Sequence, residues 1–384
     1  MLSIVIPTYN EGDNIVAIVE EIEKALKEKE YEIIFVDDST DNTLEKLEYI
    51  SKEKKQVRYI HRTLEKGLAT AVVNGFDEAR GNIVAVMDCD LQHPPEILIP
   101  MLYAIEKKDA DIVIPSRFIN GGNDGGLNFF RKLISYIARS IGSIFIRKLR
   151  VFSDNTSGYF MLKKDVIKNC KLNPIGWKIL MEVLVKGKYN NVVEVPYEFK
   201  ARNIGESKMS VKEQINYIRH ILRILKGSPE DLRFFYFCMV GFSGVIVNML
   251  IYYLLVSMGI SLLISAAFSA FSAMISNFVL NDLITWKDRK IGKIYKRITK
   301  NIITSLIGIV INLLILKILV IYVYINYMIA NIIGIGCSVI WNYSINNLWT
   351  WKTADNGYIN NSVKVVRWTI QETSDIKQLN CLNK

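Results

Sequence analysis

Apolar and polar positions follow two different patterns along the chain, and the change between them divides it into two parts. In residues 1–230, short apolar runs such as 2–7, 32–36 and 83–87 are separated by stretches with apolar residues at helical spacing. The runs predict buried strands, and the stretches between them predict helices with one apolar face. Strands and helices that alternate in this way predict an α/β fold with a mostly parallel sheet and helices on both faces.

Polar side chains follow the carboxyl ends of the predicted strands, the edge where an open α/β sheet binds its ligands. The strands are predicted at 2–7, 32–36, 57–61, 83–87 and 110–115. The residues at or just after their ends include Pro7, Tyr9, Glu11, Val36, Asp37, Asp38, Asp88, Asp90, Gln92 and Arg117. We therefore expect a polar ligand site along this edge.

Asp88, Asp90 and Gln92 give this edge the chemistry of a metal site. They follow the buried run 83–87 and are spaced two residues apart. Carboxylate and amide oxygens are hard ligands that suit Mg²⁺ or Mn²⁺ carrying phosphate groups. An isolated Asp-x-Asp also occurs in surface loops, and the spacing alone leaves that alternative open.

Composition excludes some classes of protein and favours others. The first strand is not followed by Gly-x-Gly-x-x-Gly, which disfavours a dinucleotide fold, and the chain has no P-loop sequence. The five cysteines are scattered, as is usual in a reducing compartment. The net charge is +10, and much of the basic charge flanks apolar spans. This placement predicts anionic lipid, not nucleic acid, as the partner.

Five segments resemble glycosyltransferase family 2, whose nucleotide-sugar-binding fold is of the GT-A type. They read IVIPTYNEGDNI, FVDDSTDNT, KGLATAVVNGF, VMDCDLQHPPE and PSRFINGG, within residues 1–230. The resemblance implies a nucleotide-sugar site made of Pro7, Tyr9, Glu11, Val36, Asp37, Asp38, Asp88, Asp90 and Gln92. It implies that Asp37 and Asp38 accept hydrogen bonds from base and ribose, and that Asp88 contacts either the ribose or the metal. It implies that Asp90 and Gln92 ligate a divalent cation on the diphosphate.

Three residues of the predicted nucleotide site, and the neighbouring His93, have a plainer structural explanation. Asp37 and Asp38 precede Ser39, and Asp-Asp-Ser readily begins a turn. Tyr9 is equally explained as an aromatic residue packed in a turn. His93 could act as a base, but we assign it a structural or supporting role.

Two basic amphipathic segments, 127–150 and 211–226, predict helices on a membrane surface. An ordinary surface helix is the alternative for 127–150. Between them, KILMEVL and RNIGESK resemble polyprenyl-phosphate mannosyl- and glucosyltransferases. The resemblance implies that the acceptor phosphate lies among Arg117, Arg131, Ser135 and Arg202, which with Asp90 form the predicted catalytic set. Arg131 and Ser135, at i and i+4, share one helix face.

Residues 231–352 predict a membrane domain. Four apolar stretches, near 234–256, 262–286, 298–319 and 324–351, are long enough to span a bilayer. The basic loop 287–300 predicts that this loop, both termini and the first domain are cytoplasmic. Matching residues in the two halves (Gly244 with Gly308, Trp286 with Trp351) predict two parallel hairpin repeats, which resemble GtrA-like domains. Residues 353–384 are polar, and we predict a tail.

Taken together, the segments resemble dolichol-phosphate mannose synthases of the four-span type. The resemblance implies an inverting transfer of mannose from GDP-mannose to dolichyl or polyprenyl phosphate, with Mn²⁺ or Mg²⁺. UDP-glucose as donor is the nearest alternative. A lipid-linked sugar flippase or carrier role for the spans also stays open. A processive polysaccharide synthase is disfavoured, because Lys364 stands where its Gln-x-x-Arg-Trp motif needs Gln before Arg367 and Trp368.

Overall fold

The computed structural model describes residues 1–27, 29–64, 66–125, 129–200, 211–290, 292–352 and 363–382, and all their side chains except those of 129–135, 211–212 and 377–382. The chain forms two compact units. The first comprises Met1–Gly227 together with Asn360–Lys384, and the second, called the membrane unit below, comprises Ser228–Ile359.

An eight-stranded sheet forms the centre of the first unit. Its strands are β1 (Leu2–Thr8), β2 (Tyr31–Asp37), β3 (Val57–His61), β4 (Ile83–Val86), β5 (Ile112–Ser116), β6 (Phe160–Lys163), β7 (Asn191–Pro196) and β8 (Lys364–Arg367). They lie in the order β3-β2-β1-β4-β6-β5-β7-β8. Only β6 runs antiparallel to its neighbours, β4 and β5, among these strands. The mostly parallel α/β sheet is thereby confirmed.

The helices predicted from periodicity are present, and the structure adds others, among them the last one, Ile370–Leu382. They are α1 (Ile15–Ala25), α2 (Thr43–Glu53), α3 (Leu68–Glu78), α4 (Leu98–Lys108), α5 (Phe129–Phe145), α6 (Ile179–Lys186), α7 (Val211–Lys226), α8 (Pro229–Ser257), α9 (Leu262–Leu280), α10 (Ile294–Ile321), α11 (Tyr327–Ile345) and α12 (Ile370–Leu382). Both amphipathic segments are helical, but α5 ends at Phe145 and a short 3₁₀ turn, Arg147–Val151, replaces the rest of the predicted helix.

Helices cover both faces of the sheet because alternate residues of each strand point to opposite sides. On β1, Ile4 and Ile6 join one core with apolar residues of α1, α2 and α4. Val5 points to the other face, where α3 packs. A Cβ atom at Gly75 of α3 would lie 2.2 Å from Val5 Cγ1, so glycine permits the close approach of helix and strand.

The end of the chain folds onto the first unit. β8 pairs in parallel with β7, from Asn191 opposite Lys364 to Glu194 opposite Arg367. Trp368 is buried and α12 follows it. The predicted polar tail is therefore wrong for 364–382. A four-residue strand shows little periodicity, and its partner β7 is far away in sequence, so the pattern could not reveal the pairing.

The membrane unit has four helical segments long and apolar enough to cross a bilayer: Pro229–Ser257, Leu262–Thr285, Ile294–Ile321 and Tyr327–Thr350. The predicted spans are confirmed, with ends that differ by a few residues. The second and fourth segments both finish in a π-helical turn, Asn281–Thr285 and Asn346–Thr350.

The repeat predicted for the membrane unit is visible in its packing. Trp286 and Trp351 follow the two π-helical turns, and their rings stack with centroids 4.3 Å apart and planes 3° apart. The indole N–H of Trp351 donates to Asp282 (2.9 Å), and that of Trp286 donates to Asn347 (3.3 Å). Asp282 and Asn347 are equivalent positions, so each tryptophan bonds to the turn of the other repeat.

Candidate active site

Parallel pairing brings the ends of β1, β2 and β4 to one edge of the sheet. Thr8, the last residue of β1, lies opposite Asp37, the last residue of β2, and Val5 lies opposite Val86 of β4. The polar residues that follow these strands therefore meet, as the sequence predicts for the carboxyl edge of an α/β sheet.

Asp37 is buried and fixes the strand ends. Its Oδ1 accepts hydrogen bonds from Thr8 Oγ1 (2.8 Å) and Ser39 Oγ (2.5 Å), and its Oδ2 lies 2.7 Å from His61 Nδ1. The side chain is 0% exposed. Through these contacts Asp37 holds the three strand ends together, and its contact with a nucleotide stays a prediction.

Asp38 holds the loop that leads into α3. Arg62 pairs with both of its oxygens, Nε to Oδ1 at 2.8 Å and Nη2 to Oδ2 at 2.6 Å. The backbone N–H of Gly67 donates to Oδ2 at 2.7 Å, and Gly67 has φ +143°, which favours glycine. The Asp-Asp pair thus anchors loops from two strands instead of beginning a simple turn.

The remaining nucleotide-site candidates on β1 and β2 differ in access. Pro7 and Val36 are buried within their strands. Any contact from them to a ligand would come from their backbone. Tyr9 is 48% exposed, which favours a binding surface over a packed turn. Glu11 accepts a hydrogen bond from Asn14 Nδ2 at 2.8 Å and its own N–H donates to Thr43, so it closes the turn into α1.

The loop after β4 presents the predicted metal ligands. Asp88 has a side chain 38% exposed, whereas Asp90 is buried. The N–H of Gln92 donates to Asp90 Oδ1 at 3.1 Å, and Leu91 between them has a left-handed φ of 59°. Gln92 Nε2 donates to the carbonyl of Lys200 at 3.1 Å, which fixes the amide. A strained turn at a sheet edge is a common feature of functional sites.

The donor set fits a hard divalent cation. Two carboxylates and one amide oxygen within five residues are the ligands that Mg²⁺ and Mn²⁺ prefer. Among the described residues, three His, Cys, Asp or Glu side chains do not come together at any one place. The remaining coordination positions would therefore fall to phosphate oxygens and water, as is usual for Mg²⁺ bound beside a nucleotide.

His93 packs against the loop 88–92 and supports it. Its ring is buried, stacks on Tyr159 at 5.0 Å and meets the ring of Phe199 edge-on at 5.7 Å. Nδ1 accepts a hydrogen bond from the backbone N–H of Asp88 at 3.2 Å. His93 therefore holds the backbone at the start of the predicted metal-binding loop, which agrees with the supporting role predicted for it.

Arg117, just after β5, is held rigidly on the neighbouring part of the edge. Its guanidinium pairs with both oxygens of Asp154, which is 0% exposed, at 2.9 and 3.2 Å. It also lies 5.1 Å from the ring centre of Phe118 and 5.3 Å from that of Phe199. Burial is the largest influence and opposes the charge, but Asp154, Tyr197 and Asp124 together outweigh it and raise the pKa of Arg117. The cation is permanent.

Ser153 forms hydrogen bonds with two residues that lie close to Arg117. Its Oγ lies 2.6 Å from Ser116 Oγ, and its carbonyl accepts a hydrogen bond from Arg139 at 3.0 Å. The guanidinium of Arg139 lies 3.9 Å above the ring of Phe118. Arg139 on α5 and Arg117 thus face the same aromatic ring, so two positive charges converge here.

Sequence reasoning missed several residues of this site, among them Arg139, Ser153, Asp154 and Lys178. Asp154 lies in the buried segment 154–157, and Lys178 donates from Nζ to the carbonyl of Thr156 at 3.1 Å. Burial, and then the charge of Arg117, lowers the pKa of Lys178. Asp154 opens a polar cluster directly before an apolar run, and Lys178 is the first residue of KILMEVL. Neither pattern shows which of its side chains lies in the site.

For three of the predicted acceptor residues, the side chain lies outside the part of the chain that the structure describes. Arg202 lies outside the described residues. Arg131 and Ser135 lie on α5, at backbone positions one helical turn apart, but their side chains are outside the described set. Their role as phosphate ligands stays a prediction.

Comparisons with known proteins agree with both units. The model of Glycosyl transferase family 2 matches residues 3–170, and that of the GtrA/DPMS transmembrane domain matches 236–351. A dolichol-phosphate mannosyltransferase from Pyrococcus furiosus is 44% identical over 353 residues, which cover 92% of this chain and 99% of that protein. One from Saccharomyces cerevisiae is 35% identical, covering 61% of this chain and 91% of that protein.

Solved structures show more distant likenesses. Glucosyl-3-phosphoglycerate synthase from Mycobacterium tuberculosis, in complex with Mn²⁺, UDP-glucose and phosphoglyceric acid, is 17% identical with a TM-score of 0.45 over 59% of this chain and 78% of that one. A mannosyltransferase from Pyrobaculum calidifontis, in complex with GDP-Man and Mn²⁺, is 13% identical with a TM-score of 0.38 over 91% and 87%.

The fold class therefore rests on the sheet and on the family 2 match, and the multi-pass membrane character on the four spans and the GtrA/DPMS match. The near full-length relative joins the same two parts in one chain. This chain is a membrane glycosyltransferase, and it belongs to the dolichol-phosphate mannosyltransferase family.

Proposed function

We propose that this glycosyltransferase transfers mannose from GDP-mannose to dolichyl or polyprenyl phosphate, with inversion at the sugar C1. One observation supports the pairing of donor and acceptor most directly. Phe199 contacts His93, which supports the Asp88–Gln92 loop, and also lies under the guanidinium of Arg117. The acidic loop proposed to bind the metal and diphosphate is therefore linked through Phe199 to Arg117, the cation proposed to bind the acceptor phosphate.

The reaction needs no general base on the protein. An oxygen of the lipid phosphate, already anionic at neutral pH, attacks the sugar C1 and forms the new C1–O bond. The bond from C1 to the diphosphate oxygen breaks, and its electron pair leaves with the nucleoside diphosphate. A divalent cation, Mn²⁺ or Mg²⁺, held by Asp88, Asp90 and Gln92 would neutralise charge on that leaving group.

The protein contributes position and electrostatics. Arg117, already fixed by Asp154, can orient the acceptor phosphate without reorganising. Arg139 adds a second positive charge near the same ring. In this proposal Arg131, Ser135 and Arg202 complete the acceptor site, and Tyr9 closes over the nucleotide.

We further propose that the catalytic unit faces the cytoplasm. The loop between α9 and α10 carries the basic residues Lys287, Arg289, Lys290 and Lys293, and the start of α10 adds Lys296 and Lys300. Basic loops stay on the cytoplasmic side. GDP-mannose and UDP-glucose would be reached from that side.

The test is a product assay with purified protein. Dolichyl phosphate or undecaprenyl phosphate is incubated in detergent with GDP-mannose, UDP-glucose or UDP-N-acetylglucosamine, and the glycolipid is identified by mass spectrometry. We expect a mannosyl phospholipid from GDP-mannose only. Detergent removes the second leaflet, so product formation measures transfer and not flipping. A glucosyl lipid as the main product would replace mannose by glucose, and no glycolipid from any donor would overturn the proposal.

The same assay tests the metal site. Asp90→Asn should lower turnover by about 100-fold or more, because a group that positions the transition-state charge is lost. Asp165→Asn, at a carboxylate 89% exposed on the surface, is the control and should match the wild type. Excess chelator should stop the wild-type reaction, and Mn²⁺ or Mg²⁺ should restore it. Full activity in chelator would exclude the proposed cation.

A further inference from the structure

The segment that follows the membrane unit, residues 363–382, lies outside both family matches, which end at residues 170 and 351. It nevertheless belongs to the first unit. We call it the return segment. It comprises β8 and α12, with Trp368 between them. Its strand completes the sheet beside β7, close in the sheet to β5, which Arg117 follows.

The return segment supplies the partner of a buried charge. Glu194 on β7 is 0% exposed, and its Oε2 accepts a hydrogen bond from Arg367 Nε at 2.8 Å. Arg367 also donates from Nη2 to the carbonyl of Val151 at 2.9 Å. A buried carboxylate is costly unless it is paired, and Arg367 is the basic side chain that pairs with Glu194 among the described residues.

The other carboxylate oxygen of Glu194 binds Ser153, which contacts several residues of the proposed acceptor site. Glu194 Oε1 accepts from the backbone N–H of Ser153 at 2.6 Å and from its Oγ at 2.8 Å. Ser153 in turn contacts Ser116, the residue before Arg117, and receives Arg139 on its carbonyl. The next residue, Asp154, forms the ion pair with Arg117. A path of hydrogen bonds therefore runs from the return segment through Glu194 and Ser153 to Arg139, and the covalent step from Ser153 to Asp154 extends it to Arg117.

A second, independent contact reaches the loop after Arg117. Gly121 has φ +93°, and a Cβ atom there would lie 2.0 Å from Ile370 Cγ1. The side chain of Ile370 thus sits directly on this glycine. Trp368 is buried in the core and meets the ring of Tyr103 at 6.3 Å. Strand pairing, an ion pair and apolar contacts therefore all hold the return segment on the first unit.

We propose that Arg367 is a positioning residue for the lipid-phosphate site: by pairing with Glu194 it holds Ser153, and through Ser153 the arginines that receive the acceptor. The proposal rests on the proposed function, in which Arg117 binds the acceptor phosphate. Loss of Arg367 leaves the buried Oε2 of Glu194 without its arginine partner, so the Ser153 segment shifts. Arg117 and Arg139 then no longer converge. The donor edge, built on β1, β2 and β4, does not depend on this path.

The experiment compares Arg367→Met with the wild type in the full-length protein. Lys364→Met, at an exposed position of the same strand, is the matched control. We expect Arg367→Met to raise the KM for the lipid phosphate by about 10-fold, a loss typical of a small misplacement. The KM for the sugar nucleotide should stay within about twofold. Arg367→Lys keeps the ion pair and should recover most of the acceptor KM.

A double variant separates positioning from simple loss of stability. Glu194→Gln removes the charge that Arg367 neutralises, so Arg367→Met should raise the acceptor KM much less when Glu194→Gln is already present. Thermal unfolding is measured for every variant. A folded Arg367→Met protein with normal acceptor KM would overturn the proposal, as would equal loss of donor and acceptor affinity.

Arg117→Met distinguishes failure of this proposal from failure of the proposed function. If Arg117→Met raises the acceptor KM and Arg367→Met does not, the path through Glu194 is wrong and the acceptor site stands. If Arg117→Met leaves the acceptor KM unchanged, the acceptor assignment itself is wrong, whatever Arg367→Met shows.

Discussion

His220 on α7 is a fully buried histidine outside the donor and acceptor sites. Its Nδ1 accepts a hydrogen bond from the backbone N–H of Ile175 at 3.0 Å, and its Nε2 has no hydrogen-bond partner among the described residues. Burial lowers the pKa to about 4; Glu182 raises it and Arg223 and Lys186 lower it. The folded protein therefore holds a neutral ring that would be protonated in the unfolded chain below pH 6.5.

This difference predicts acid sensitivity. The folded pKa lies below the unfolded one, so the unfolded state binds more protons between pH 6.5 and 4, and stability is lost as pH falls through that range. The full effect is up to about 3 kcal/mol. We expect His220→Asn, which keeps an acceptor for Ile175, to unfold with a weaker pH dependence between pH 7 and 4.5. Parallel melting curves for the two proteins would contradict this.

At the scale of single residues, pattern and chemistry predicted some positions and missed others. Asp88 and Asp90 could be found because a strand end fixes where they lie. Asp37 was predicted as a ligand contact, but the pattern did not show that it is buried against His61, because burial depends on neighbours that lie in other elements. Asp154 was missed because irregular loops have no period from which position can be read.

At the scale of elements, the paired π-helical turns of the membrane unit show how a repeat can be locked. Asp282 accepts two hydrogen bonds from Arg297, at 2.8 and 3.1 Å, besides the indole bond from Trp351. Arg297 is also buried. The equivalent turn has Asn347, a neutral residue that accepts from Arg289 at 2.9 Å. The two repeats therefore share geometry but not charge.

This asymmetry predicts unequal costs for one substitution at equivalent places. Asp282→Ala leaves Arg297 buried without its carboxylate, which costs about 3–5 kcal/mol. Asn347→Ala removes a neutral acceptor and should cost about 1–3 kcal/mol. Both are measured by thermal unfolding of detergent-solubilised protein, with the wild type alongside. Equal melting temperatures for the two variants would show that the buried ion pair adds nothing to the lock.

Sequence patterns predicted long elements well and short ones poorly. The four spans and the helices α1, α3 and α7 have many apolar residues at regular spacing, so their positions were clear. β6 and β8 each have four residues, and their pairing with β4 and β7 depends on contacts across the sheet. For the same reason the Arg367-Trp368 pair, dismissed as a motif, gave no sign of its place beside Glu194.

At the scale of the whole molecule, the sheet is assembled from two ends of the chain. Residues 1–227 supply seven strands, and β8 arrives only after four spans. An even number of crossings returns the chain to the side it left, so β8 can pair with β7 on the same side of the membrane. The sheet is therefore not complete before Pro229, and a chain cut there lacks an edge strand.

The last prediction follows from that missing strand. We compare residues 1–227 alone with residues 1–227 joined by a flexible glycine- and serine-rich linker to 360–384. The joined chain should melt at least about 6 °C higher, because burial of a tryptophan such as Trp368 is worth about 3–5 kcal/mol in a unit of this size. A joined chain carrying Trp368→Ala is the control and should lose most of the gain. Sugar-nucleotide binding by calorimetry should be present in the joined chain, since β1, β2 and β4 are intact. Equal melting temperatures with and without 360–384 would show that the return segment is docked without stabilising the unit, and that the edge of β7 tolerates exposure.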